Sequence, residues 1–138
     1  MTKDEELARY MAVIEQYKEQ LNSLDIQSQY LQAAISDYNK AKITIEQLNN
    51  TDRGTEILVP IGGSTFLNAN VQDTSKVLFD IGGGVVTEKK SEDAIKKIDA
   101  RLEDLHKTQE KLFNMIQKLQ NEAMEISAKA QEILSEKR

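Results

Sequence analysis

Glu103 and His106 stand three residues apart in a segment whose spacing predicts a helix. Glu-x-x-His on a helix is how some helix bundles hold paired metal ions. That chemistry needs the motif twice with its side chains turned inward, and the 138-residue chain has a single histidine. Glu103 and His106 also fall beside the apolar stripe described below, so they read as a solvated helix face, and no metal is expected. Gly62-Gly63 and Gly82-Gly83-Gly84 invite comparison with phosphate-cradling loops. Neither is followed by Lys-Ser/Thr or leads directly into a helix, so both read as hairpin turns. Asp4-Glu5-Glu6 and Glu92-Asp93 are paired carboxylates, but each lies at a helix start, where the helix dipole accounts for it. Asn49-Asn50-Thr51 is a glycosylation triplet, which matters only in a secreted chain. With no cysteine there are no disulfides, thiol nucleophiles or Cys-held zinc. No catalytic residue and no cofactor is expected, and the chain does not read as an enzyme.

Composition narrows the alternatives. The 23 acidic and 18 basic side chains leave a net charge of −5, against the positive field a nucleic-acid binder needs. No apolar run approaches the roughly 18 residues of a membrane span. The acidic N-terminal residues do not resemble a signal peptide, so a cytoplasmic location is expected, with function carried by surfaces.

The elements that would carry such surfaces follow from spacing. All six glycines and the one proline lie between two arms rich in Glu, Gln, Lys, Leu and Ile. In the first arm, steps of three and four connect Leu7, Tyr10, Ile14, Tyr17, Leu21, Leu24, Ser28, Leu31, Ile35, Tyr38, Lys42 and Ile45. In the second they connect Ile95, Ile98, Leu102, Leu105, Gln109, Leu112, Ile116, Leu119, Ala123, Ile126, Ala130 and Ile133. A 3.5-residue period held this long predicts a left-handed coiled coil. Two arms joined by a compact centre should fold back antiparallel. Setting Leu7 against Ile133 then sets Tyr10 against Ala130 and Tyr17 against Ala123, large facing small. It also gives the polar interruptions Ser28, Lys42 and Gln109 aliphatic partners. Each arm of about 45 residues would be near 70 Å long. Thr2-Lys3-Asp4-Glu5 reads as a capping box, Ser91 as the cap of the second helix, and Asn49 to Gly54 as the close of the first.

The centre reads as four strands in two hairpins: 56–61, 65–71, 76–81 and 85–89, separated by short glycine- or polar-rich links. Pro60 suits an edge or a bulge. Four short strands cannot bury two faces alone, and the coiled coil has already spent its apolar seam. The centre is therefore expected to need other chains. The expected fold class is α+β in a single domain over 1–138: helix 2–50, two β-hairpins over 55–89 for oligomerisation, helix 91–137. Off the seam near the free ends lie Met11, Val13, Met124 and Leu134. With Leu7, Tyr10, Ile14, Ile126 and Ile133 they would form an apolar cluster at the far tip, a surface suited to adaptable binding.

Leu58-Val59-Pro60-Ile61-Gly62-Gly63-Ser64, followed by Val77-Leu78-Phe79-Asp80-Ile81-Gly82-Gly83-Gly84-Val85-Val86-Thr87-Glu88-Lys89 between two heptad arms, resembles the alpha-type subunits of the prefoldin family. These are archaeal hexameric chaperones, also called GimC. Two hairpins rather than one point to the alpha type. The resemblance covers essentially the whole chain. It implies that two alpha and four beta subunits assemble through their hairpins into a β-barrel platform. The coiled-coil tips would hold unfolded polypeptides without ATP and pass them to a group II chaperonin. The gripping role would fall to Leu7, Tyr10, Met11, Val13, Ile14, Met124, Ile126, Ile133 and Leu134. The subunit interface would fall to Ile57, Val59, Phe66, Leu67, Val71, Val77, Phe79, Ile81, Val85 and Val86. The competing reading is a coiled-coil adaptor for specific folded partners.

Overall fold

The structure, a computed structural model, describes residues 2–136. Its elements run α1 (Lys3–Asn49), β1 (Glu56–Gly62), β2 (Thr65–Asn70), β3 (Lys76–Asp80), β4 (Val86–Lys90) and α2 (Ser91–Glu136). The expected end of the second helix at Lys137 lies outside the described residues. Two compact units divide the chain: residues 1–34 with 105–138, and residues 35–104.

In the first unit, α1 and α2 meet along the stripe that the heptads mark. Leu24, Leu105, Leu112, Ala130 and Ile133 are buried and the other seam residues are half-buried, polar Ser28 and Gln109 included. The antiparallel register shows in the cross-helix contacts. Lys3 Nζ lies 2.7 Å from Glu136 Oε2, and the Tyr17 hydroxyl donates to Glu122 Oε2 at 3.0 Å. Tyr17 thus reaches the residue next to Ala123 in sequence, in keeping with the antiparallel register. The capping box forms in both directions: Glu5 N–H donates to Thr2 Oγ1 at 3.2 Å, and Thr2 N–H to Glu5 Oε2 at 3.4 Å.

In the second unit the seam continues through buried Ile35, Ile45, Ile98 and Leu102. Lys42, the charged interruption, reaches Asp99 Oδ1 at 2.7 Å. This pairing draws the ammonium to the rim while the aliphatic stem stays in the seam. The first helix ends in side-chain hydrogen bonds back onto itself, Thr51 Oγ1 to Gln47 O at 2.7 Å among them. Gly54, at φ 89°, then turns the chain toward β1.

Strand β1 pairs antiparallel with β2, from Glu56 opposite Asn70 to Pro60 opposite Phe66, with a bulge before Gly62 opposite Thr65. Gly63 and Ser64 both have positive φ, the two-residue turn whose twist matches the strands. Pro60 sits beside the bulge, in a strand whose sole neighbour is β2, so its missing N–H leaves no gap in a central ladder. Strand β3 pairs antiparallel with β4, Lys76 opposite Lys90 through Asp80 opposite Val86. The two hairpins are separate two-stranded sheets.

Two expectations need correcting. Ser91 does begin α2, but its hydroxyl donates to Thr74 O (3.2 Å) and its N–H to Ser75 O (2.9 Å). Both groups tie the helix start to the segment entering β3. The coiled coil also leaves more cover for strands than its seam suggests. One face of β3–β4 is half-buried, and Val77 and Phe79 line a common recess with Tyr38, Ala41, Ile45 and Ile98. A residue such as Ile98 faces both the opposite helix and the hairpin, because in a helix pair the groove flanking the seam stays open to a third element.

Candidate assembly and binding surfaces

Strand pairing sorts the side chains of β1–β2 by face. Ile57 and Val59 share one face with Ala69 and Leu67; Leu58 and Pro60 share the other with Asn68 and Phe66. Every residue of β1 is exposed, and all of β2 except Ala69. This hairpin is an apolar ribbon with no cover on either face. Its outer edges carry the unpaired N–H and C=O groups that accept a further strand.

On β3–β4 one face, with Val77, Phe79, Thr87 and Lys89, is half-buried, and the other, with Leu78 and Val86, is open. Lys97 Nζ stands 5.9 Å from the Phe79 ring centroid, within cation–π range. At its turn Ile81 and Val85 are exposed, and Gly82 N–H is held by Asp80 Oδ1 at 2.8 Å. Of the expected interface residues, Ile57, Val59, Phe66, Leu67, Ile81, Val85 and Val86 are exposed, and Val71, Val77 and Phe79 are half-buried. Leu58, Ile61 and Leu78 are equally exposed and were not singled out from the sequence. The signal was present: Ile57-Leu58-Val59 does not alternate, and a strand without alternation is one that ends up covered on both faces.

The expected tip residues fall into three groups. Met11 (53%), Met124 (70%) and Leu134 (41%) are exposed. Leu7, Tyr10, Val13, Ile14 and Ile126 are half-buried, and Ile133 is buried in the seam. The surface therefore offers methionine and leucine off the seam, while the seam residues are tied up between the helices. Glu103 and His106 are exposed on α2. His106 borders a side recess with Gln109, Glu110 and Phe113, not a second Glu-x-x-His.

Electrostatics around these surfaces are mild. The hydrogen bond to Glu122 raises the Tyr17 hydroxyl pKa above its ordinary value, helped by burial and by nearby Glu125. The bond to Asp99 raises that of Lys42. Asp73, which accepts from both the N–H and hydroxyl of Ser75, is lowered. No helix among the described residues is long and apolar enough to cross a membrane.

Two long helices joined by two β-hairpins, one of them bare on both faces, define a class: a coiled-coil protein whose helices are linked by exposed apolar strands. The chain belongs to the prefoldin family, whose subunit model matches residues 17–136; the family is a chaperone family, and the chain is of its alpha type. It is 29% identical to prefoldin subunit alpha of Archaeoglobus fulgidus over 126 residues, 91% of this chain and 92% of that protein. It is 26% identical to prefoldin subunit alpha of Methanocorpusculum labreanum over 133 residues, 96% of this chain and 90% of that one. A filamentous prefoldin from Methanocaldococcus jannaschii superposes with a TM-score of 0.73 at 23% identity, covering 85% of this chain and 97% of its own. The prefoldin beta subunit of Thermococcus strain KS-1 superposes at 0.61 and 15% identity, covering 91% and 90%. At those identities the two structures speak for the fold.

Proposed function

We propose that the chain is the alpha subunit of an ATP-independent holdase that works without catalytic residues or cofactor. Two alpha and four beta subunits assemble through their hairpins into a β-barrel platform in the cytoplasm. The coiled-coil ends then bind non-native polypeptides, keep them from aggregating and deliver them to a group II chaperonin. The observation that carries this reading is β1–β2, an apolar ribbon exposed on both faces with two open edges. Such a ribbon is an aggregation hazard unless other chains cover it.

Client binding falls to Leu7, Tyr10, Met11, Val13, Ile14, Met124, Ile126, Ile133 and Leu134. Met11, Met124 and Leu134 make the first contacts; the seam residues join as the helix ends fray. Several weak tips acting together give avidity, and each weak contact lets go without nucleotide hydrolysis.

The test mixes the chain with a beta-type partner, measures native mass, and follows aggregation of an unfolded client. Wild type should give a hetero-oligomer of about six chains that suppresses aggregation. Met11→Ser/Val13→Ser/Leu134→Ser should keep that mass and lose the suppression. Unchanged suppression would sink the tip assignment; a stable monomer would sink the platform.

A further inference from the structure

Away from the helix ends, one flank of the first unit carries a groove. Two recesses on the same side share Met115. One is bordered by Gln20, Ser23, Leu24, Lys118, Leu119 and Glu122. The other is bordered by Gln27, Tyr30, Leu31, Thr108, Lys111 and Leu112. The spacing confirms a single flank: Gln20, Ser23, Gln27 and Tyr30 step along α1 by three and four, as Lys111, Met115, Lys118 and Glu122 do along α2. The floor is apolar and the apolar side chains at its lip are open, Tyr30 at 75% exposure and Met115 at 52%. Neither belongs to the seam.

Charge identifies the occupant. On a chain of net charge −5, this flank is uncharged along α1 and carries Lys111 and Lys118 along α2. Its one carboxylate, Glu122, accepts from the Tyr17 hydroxyl at 3.0 Å at one end of the groove, so the lining as a whole stays positive. From Gln20 to Leu31 the groove runs about 18 Å, three turns of helix. We infer that this flank is a docking site for a helix of another protein, one whose apolar stripe is bordered by carboxylates. Such a helix would lay its stripe on Leu24, Met115 and Tyr30 and its acids beside Lys111 and Lys118. Helix-in-groove recognition works this way, apolar anchors giving affinity and rim charges giving selectivity.

The four methionines supply the test. With 13C-methyl-methionine in the full chain, Met115 reports this groove, and Met11 and Met124 report the helix ends. The probe is a synthetic amphipathic peptide of about 20 residues, long enough to be helical, with leucines along one stripe and glutamates on its borders. A matched peptide carries lysines on those borders. The glutamate peptide should shift the Met115 resonance and leave Met11 and Met124 in place. The lysine peptide should bind about tenfold or more weakly, and Lys111→Glu/Lys118→Glu should reverse that preference. Four results would overturn the inference: a still Met115 up to about 1 mM peptide, equal response to both peptides, shifts confined to Met11 or Met124, or a concentration-dependent Met115 shift without peptide. The last would make the occupant a second copy of this chain. Client suppression and native mass are separate readouts, so loss of the groove and loss of the holdase reading are distinguishable.

Discussion

The two hairpins are built alike and fare differently. Each has two short antiparallel strands closed by glycines at positive φ. Yet β1–β2 is bare on both faces, while β3–β4 has one half-buried face, whose Val77 and Phe79 share a recess with Tyr38, Ala41, Ile45 and Ile98. The difference lies at the hairpin bases. The segment entering β3 is bonded to the start of α2 through both the hydroxyl and the N–H of Ser91. Among the described residues, the base of β1–β2 is bonded to its own strands and the turn before them, through Gly54, Thr55 and Val71. One hairpin thus has one half-buried face, and the other is exposed on both. An isolated two-stranded hairpin is marginal in water, so β1–β2 should gain most of its order on assembly.

The widest separation between the hairpins should appear in assembly. Leu58→Ser/Phe66→Ser should abolish the hetero-oligomer with a beta-type partner. The denaturation midpoint of the chain alone should move by no more than about 0.5 kcal/mol in stability, as for surface changes. A comparable loss of stability in the isolated chain would show that β1–β2 has cover of its own.

Next in size is the shelf under the other hairpin. Ile98→Ala empties a side chain that is 2% exposed, so it should cost about 2–5 kcal/mol in urea unfolding of the chain alone. Amide exchange should speed up in β3–β4 and change little in β1–β2. Equal acceleration in both would mean the hairpins are coupled.

A smaller effect is expected at the second turn. Gly82 has φ 109°, a backbone that side-chain-bearing residues rarely adopt, though a methyl there would meet nothing. Gly82→Ala should therefore act through strain alone, destabilising by about 1 kcal/mol or somewhat more. A neutral result would show that the turn relaxes.

The smallest effect is the pH dependence of the link into β3. Asp73 is held below its ordinary value of 3.8 by the hydrogen bonds from Ser75. A carboxylate lowered on folding contributes stability above pH 3.8, lost as pH falls through the lower folded value. The stability gap between wild type and Asp73→Asn should be flat above pH 3.8 and shrink below it. Because Asp73 is solvent-exposed the change will be small, and a gap that widens in acid would reverse the assignment.

Much of this was readable from residue order. The heptads located most of the seam, because a 3.5-residue period leaves little choice of face, but they passed over Ala94, which is fully buried. Thr2 and Glu5 announced the cap that forms, and the glycines marked both turns. Ser91 begins α2 as its residue type indicates, but a serine at a helix start has an available hydroxyl whatever uses it, and only the approach of Thr74 and Ser75 decides the partner. Leu58, Ile61 and Leu78 lie outside the expected interface, yet they are exposed like its other strand residues. Tyr30 and Met115 were invisible for a different reason. Off-seam apolar residues on separate arms become a groove only once the antiparallel register places them on one flank.

What the sequence by itself determined was local: two helices, four strands, their turns and the seam, all dictated by periodicity and backbone preference within a few residues. The tertiary structure alone decided which hairpin the helices cover and which is left open. That choice depends on contacts such as Ser91 with Thr74 and Lys97 over Phe79, which join positions about twenty apart and have no periodic signature along the chain.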